Sequence, residues 1–180
     1  MEISSSIEDI CGRLSRDAIS RAAFVEECVR LTCRQIGCNR GGLWIAIESD
    51  RGRLLRCLGM FDSVKNQMRR VPDESEERSG PYFLALDEFG HVLAPDARSH
   101  PATRSFFVGR PDGAGVRSLM AAAFSLNGKL YGALTCTQIG EPMTWTLQQL
   151  TMLRQIGARA TLALAGASPH QLDSLWSALA

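Results

Sequence analysis

Nowhere in the 180 residues does an apolar run approach the ~20 residues that a membrane-spanning helix requires, so the sequence offers no such span. Neither charge is in excess. Twenty Lys and Arg stand against 19 Asp and Glu, a formal net charge of +1, which gives no reason to expect nucleic acid or an anionic membrane as partner. The opening MEISSSIEDI is acidic and polar, unlike a secretion signal or a basic arm. The six cysteines (Cys11, Cys28, Cys33, Cys38, Cys57 and Cys136) include no short CxxC pair for zinc. With no secretion signal they read as small buried hydrophobes of a reduced, cytoplasmic protein. Also missing are the dinucleotide glycine fingerprint, the P-loop, the zinc-protease helix and the nucleophile elbow. His91, His100 and His170 are not paired by spacing with a cysteine, serine or carboxylate, so no catalytic residue, metal ligand or cofactor is assigned.

What is present is an ordinary globular pattern, long enough to bury a core without staples. Ile7, Ile10, Cys11, Leu14 and Ala18 recur at helical spacing over residues 5–19, and Val25, Cys28, Val29, Thr32 and Ile36 form a stripe over 22–36. Gly41-Gly42 then breaks the pattern, and residues 42–48 and 53–59 read as strands joined by a turn. Residues 62–80 lose periodicity and gain charge, which suggests a surface loop. Pro81 suits the first turn of a short helix over 81–86, and 91–94 reads as a brief strand. The stretch DARSHPATRSFF is a loop feeding a short helix. Asn127-Gly128 is a strong hairpin signal between strands 116–126 and 130–139, and Thr146 caps a long helix over 146–165. Leu172, Leu175, Trp176 and Leu179 could restart a helix after Pro169. The order points to an α+β fold with an antiparallel sheet. It divides the chain into an N-terminal helical extension (1–19), one domain (20–166) and a C-terminal tail or linker helix (167–180).

The charged and aromatic clusters have bland explanations beside sharper ones. Asp73, Glu74, Glu76 and Glu77 lack the ligand spacing of a calcium loop, so a solvated face is the default. Arg69, Arg70, Arg98, Arg104 and Arg110 could meet an anion bidentately, although scattered surface arginines are commoner. Trp44 and Trp145 suit core or helix packing. Tyr82, Phe83, Phe106 and Phe107 fall in short segments that would cover one sheet face, as packing or as the lid of a pocket.

Taken in order, CNRGGLWI, LLRCLGMFD, GPYFLAL, VLAPDARSHPATRSF, GVRSLMAAAF and GALTCTQIGEPMTWTLQQLTMLRQIGARATLAL resemble the GAF domain of bacterial histidine kinases and cyclic-di-GMP enzymes. The likeness spans roughly residues 20–166. It implies a central antiparallel sheet of five or six strands, with the N- and C-terminal helices on one face. Short helices and loops on the other would enclose a small ligand. It also implies a sensory rather than catalytic role, with homodimerisation through the terminal helices and an output domain or signalling partner. Three departures point to a small, weakly polar or vestigial cavity. Ala121 stands where relatives often carry an acidic residue, Thr137-Gln138 where they carry Glu-His, and Lys65-Asn66-Gln67 where a histidine would fall. There is no Cys-His pair for a covalent bilin.

The pocket candidates on this reading are Tyr82, Phe83, Asp96, Arg98, Phe106, Phe107, Leu119, Ala121, Tyr131, Thr135 and Thr137. Their grouping depends on hairpin register. A two-residue Asn127-Gly128 turn puts Met120 on the face of Thr135, whereas a Gly-bulge turn puts Leu119, Ala121 and Ala123 beside Tyr131, Thr135 and Thr137. The second is preferred because it separates an apolar face (Met120, Phe124, Leu134, Cys136) from a hydroxyl-bearing one. Two alternatives stay open: a thiol-dependent enzyme of the free methionine-sulfoxide reductase kind, and a ligand-free interaction module with Phe83, Phe106 and Phe107 filling the pocket.

Overall fold

A central antiparallel sheet separates two unequal covering layers in the computed structural model, which describes residues 2–109 and 115–166. The helical extension after Pro169, His170 and Arg110 lie outside the described residues. Helix α1 (Glu2–Ser15) stops short of the expected end because Asp17 takes a left-handed φ of 53°. Helix α2 (Arg21–Ile36) begins where the Ser20 hydroxyl accepts from the Ala23 N–H, and it ends at Gly37, whose φ of 77° suits a residue without Cβ. The chain then runs through β1 (Arg40–Ser49), β2 (Gly52–Asp62), β3 (Gln67–Arg69) and β4 (Glu74–Ser75). Helix α3 (Glu76–Phe89) and β5 (His91–Ala94) follow, with a 3₁₀ turn at Arg104–Phe107. The hairpin β6 (Val116–Leu126) and β7 (Lys129–Ile139) leads into α4 (Leu147–Ala165). At the start of α4, Thr146 and Gln149 close a reciprocal capping box.

The sheet order is β3-β2-β1-β7-β6-β5, with β4 clipped to β2. That is six strands in one path plus a two-residue seventh, so the architecture is the expected α+β one. Helices α1, α2 and α4 cover one face over Leu43, Ile45, Leu58, Met120, Phe124, Leu134 and Cys136. Helix α3 and the 3₁₀ turn cover the other over Leu55, Val92, Leu119, Ala121 and Ala133. Ala46, Ala94, Ala121, Ala123 and Ala133 make about half of that second face, which leaves room under α3.

The sequence reading is corrected in three places. Gly41-Gly42 does not end a helix but lies inside β1, where each glycine meets a close neighbour. The stretch 62–80 is more than a surface loop: β3 pairs with residues 60–62 of β2 and β4 with residues 54–55, and α3 has already begun at Glu76. Helix α3 is longer than expected because it joins two pieces across a kink at Ser79 (φ −124°, ψ 36°). The kink falls just before Pro81, which has no N–H to continue a helical ladder.

The β6–β7 hairpin combines both candidate registers. Leu126 pairs with Lys129 around a two-residue turn in which Asn127 and Gly128 both have positive φ. A bulge then skips Tyr131, so that Phe124 faces Gly132, Ala121 faces Thr135 and Leu119 faces Thr137. The preferred segregation of faces is present. Its cause is a bulge inside β7, not in the turn.

Candidate functional site

Between the sheet and the α3 layer lies a cavity of about 180 Å³. Its floor comes from β1, β2, β6 and β7: Arg40, Trp44, Leu55, Met60, Val116, Leu119, Thr135 and Thr137. Arg69, Arg70, Val71, Pro72 and Glu74 form one wall, and Tyr82, Phe106 and Phe107 form the cover.

Small residues and register create the space. Gly42 sits opposite Met60 on one side and Thr135 on the other, and a Cβ there would come within 3.0 Å of Met60, Trp44 and Thr135 atoms. Without that Cβ, the Trp44 indole Nε1 donates to Thr135 Oγ1 at 3.0 Å, and Thr135 Oγ1 donates in turn to the Gly42 carbonyl at 3.3 Å. This holds the indole edge against the floor. Tyr82 and Phe106 meet edge to face with ring centroids 4.7 Å apart. The Arg78 guanidinium donates to the Val108 carbonyl at 2.9 Å, tying the 3₁₀ turn to α3.

Charge gathers at the end of the cavity where β1 begins. Asp62, 1 % exposed, accepts from Arg40 Nε at 2.9 Å and from the Lys65 backbone N–H at 3.0 Å, with Arg69 Nη1 at 3.5 Å. Burial pushes the Asp62 carboxyl up, but the Lys65 N–H and the two guanidiniums outweigh it and hold the group below the ordinary carboxylate range. On the neighbouring wall the buried Glu74 carboxylate accepts from the Ser79 hydroxyl. Burial and, less strongly, the Glu74 charge push the Tyr82 phenol up, so it stays protonated at neutral pH. Thr137, 8 % exposed and opposite Arg40 in the β1–β7 ladder, has a buried hydroxyl with no hydrogen-bond partner.

Of the eleven pocket candidates, Tyr82, Phe106, Phe107, Leu119, Thr135 and Thr137 line the cavity. Phe83 and Ala121 are fully buried beside it, inside the α3-facing core. Tyr131 is misplaced by the sequence reading: the bulge turns it to the opposite face, against the helix-side core. Asp96 and Arg98 also lie outside the lining. The Asp96 carboxylate accepts from the Arg98 backbone N–H at 3.2 Å and so shapes its own turn, while the Arg98 guanidinium lies over the Phe107 ring, 6.0 Å from its centroid.

Arg40, Leu55, Met60, Val116 and the 69–74 wall were not among the candidates. The sequence reading offers Arg69 and Arg70 as possible anion contacts with scattered surface charge as the default, and Trp44 as core or helix packing. Their common signal is register: Arg40 and Thr137 are paired, and Arg69 pairs with Met60, which pairs with Gly42. The cavity is small and its lining mostly apolar, as expected, and the charge it does carry comes from the β1 start and the 69–74 wall.

The acidic cluster is not simply a solvated face. Asp73 pairs with Arg56 at 3.3 Å, and Glu76 with Arg53 at 2.6 Å. No group of cysteine, histidine and carboxylate side chains among the described residues could hold a metal ion. Five of the six cysteines are buried and Cys11 is half-buried. No described helix is long and apolar enough to cross a membrane.

Known proteins resemble this chain first in architecture. The GAF domain of an Acinetobacter phosphoenolpyruvate-protein phosphotransferase superimposes with a TM-score of 0.69 at 12% identity, over 91% of this chain and 92% of that one. Its Coxiella burnetii counterpart gives 0.65 at 14% identity, over 91% and 95%. The blue-light absorbing form of the Thermosynechococcus elongatus PixJ GAF domain gives 0.65 at 16%, over 93% and 95%. No curated protein matches in sequence. The sequence model of the GAF domain, in contrast, matches residues 20–164, from the cap of α2 to the last turn of α4. With sheet order, covering layers and family pattern in agreement, the chain belongs to the GAF domain family.

Proposed function

We propose that this GAF domain is a regulatory module rather than an enzyme, which takes a small molecule into the cavity beneath α3 and signals through a homodimer built on α4. The observation that carries the reading is the unpartnered Thr137 hydroxyl in a preformed cavity with aromatic cover. A buried hydroxyl left unmet is costly, and a bound ligand would relieve it. At about 180 Å³ the space is below the range of roughly 300–1,000 Å³ typical of pockets for drug-sized ligands, so the occupant is small.

No cysteine or histidine is among the residues that line the cavity, which favours reversible over covalent capture. Burial pushes the Cys57 thiol up to about 12, and Cys28 and Cys33 rise as well, the first through burial and the second chiefly through its contact with Cys38. The thiolate is the reactive form, so these positions suit packing better than catalysis. A cytoplasmic, bacterial setting fits reduced cysteines and the family.

The dimer reading rests on what α1 covers and what it leaves open. Ile7 and Ile10 bury against the helix layer, Arg13 pairs with Glu27 of α2, and Arg159 of α4 pairs with Glu8 at 2.5 Å. That occupies the groove between α2 and α4. The outer face of α4 stays open, with Leu147 and Leu162 about 75% and 69% exposed and Thr151 and Ala158 between them at helical spacing. Two such stripes would bury each other's leucines.

Native mass spectrometry of the gently purified chain tests the proposal. A stoichiometric retained small molecule on a dimeric mass is expected. A clean apo mass, with no stabilisation by any small-molecule class, would overturn the ligand reading and favour the interaction module.

A further inference from the structure

Resting on the reading of the cavity as a ligand site, we infer that its ligand is a small amphipathic anion, an oxyanion head group on a compact apolar body. The cavity is polar at one end and apolar at the other. At the β1 start, Arg40 faces Thr137 across the ladder, and Arg69 is brought alongside by the β2–β3 pairing. Away from that end the surfaces are Trp44, Leu55, Phe106 and Phe107.

The polar end is built and held. Arg40 gives its Nε–H to Asp62, and Arg69 approaches the same carboxylate oxygen through Nη1, so both guanidiniums are anchored from behind. Each guanidinium has five N–H groups in a rigid fork, and one contact apiece to Asp62 leaves donors for an oxyanion. At this end two guanidiniums, those of Arg40 and Arg69, face the single carboxylate of Asp62, which leaves a local excess of positive charge. Thr137 adds an independent sign: its buried, unpartnered hydroxyl sits at this same end. A carboxylate there would accept from the hydroxyl and the guanidiniums together. A neutral ligand would leave the charge unmatched.

Titration of the full chain with benzoate, phenyl phosphate and benzamide, followed by calorimetry at fixed salt, tests this. Benzoate is expected to bind at least about ten-fold more tightly than benzamide, because a hydrogen bond to a charged group outweighs a neutral one. Phenyl phosphate binding above benzoate would assign a phosphate head instead of a carboxylate, within the same oxyanion class. Thr137→Val keeps the side-chain shape and is expected to weaken benzoate about five-fold while changing benzamide less than about two-fold. Arg69→Gln should weaken both anions; if it fails to fold, the Thr137→Val comparison decides alone. Equal or tighter benzamide binding, or Thr137→Val affecting both ligands alike, would overturn the anion inference and leave the cavity reading intact. If no probe binds, the mass of any molecule retained on native purification decides: an acid supports the inference, a neutral compound overturns it, and a clean apo mass overturns both readings.

Discussion

Asp62 shows how a single buried carboxylate can organise a site. It anchors Arg40 and Arg69 and caps the turn at Lys65, so its loss should be felt in stability before any ligand is considered. Asp62→Asn keeps the shape but weakens the charge-assisted bonds, and is expected to cost about 1.5–3 kcal/mol in urea unfolding. The pH dependence has a defined sign. Because the folded carboxyl lies below its unfolded value near about 3.9, its stabilisation is present above that pH and is lost as pH falls through the folded value. Glu76, held down chiefly by the Arg53 guanidinium, acts in the same direction. Thermal melts should therefore fall steeply below about pH 4 in the natural chain, and less steeply in Asp62→Asn. The cysteines supply a second test at this scale. With Cys28, Cys33 and Cys57 buried and their thiols raised, iodoacetamide at pH 8 is expected to label half-buried Cys11 first and the others only after unfolding. Fast labelling of Cys33 in the native protein would contradict the packing described.

Among the elements, α4 depends most on one missing side chain. A Cβ on Gly157 would lie 1.9 Å from Phe124 Cζ, so the helix rests directly on that ring. In an exposed helix interior, Gly→Ala gains up to about 1 kcal/mol; here the sign reverses. Gly157→Ala should destabilise the fold by about 1–3 kcal/mol, and a second change, Phe124→Leu, should recover part of the loss by removing the ring. Additive losses in the double variant would show that the two sites do not touch. The same element was the most legible part of the sequence, since Leu150, Leu153, Ile156, Ala160 and Leu164 keep a helical period and Thr146 announces the start. Helix α2 and the β6–β7 hairpin were nearly as plain. The wall at 67–75 was not, because strands of three and two residues are too short for any periodicity to emerge, and their pairing with β2 is a tertiary choice. For the same reason only six of the cavity's sixteen lining residues could be named in advance as pocket candidates. Phe106 and Leu119 were visible as apolar residues on a covering segment and a pocket-facing strand. Arg40 and Arg69 needed knowledge of which strands lie side by side, and Tyr131 was turned away by a bulge that no local motif announces.

For the molecule as a whole, the proposed homodimer would use the exposed stripe of α4. If α4 forms the contact, Leu162→Glu should shift sedimentation from dimer to monomer at micromolar concentration without lowering the melting temperature of the monomer. A dimer unaffected by both Leu147→Glu and Leu162→Glu would move the interface elsewhere. A last consequence comes from the paired glycines of β1. Gly41 lies so close to α2 that an added Cβ would sit 2.9 Å from the Val29 carbonyl, while a Cβ on Gly42 would meet the Trp44, Thr135 and Met60 side chains of the cavity floor. At this one step the strand adds no side chain of its own, so Trp44, Met60 and Thr135 rest directly on peptide backbone whose other side meets α2. A push on those three side chains from the cavity would therefore reach α2 through a single peptide.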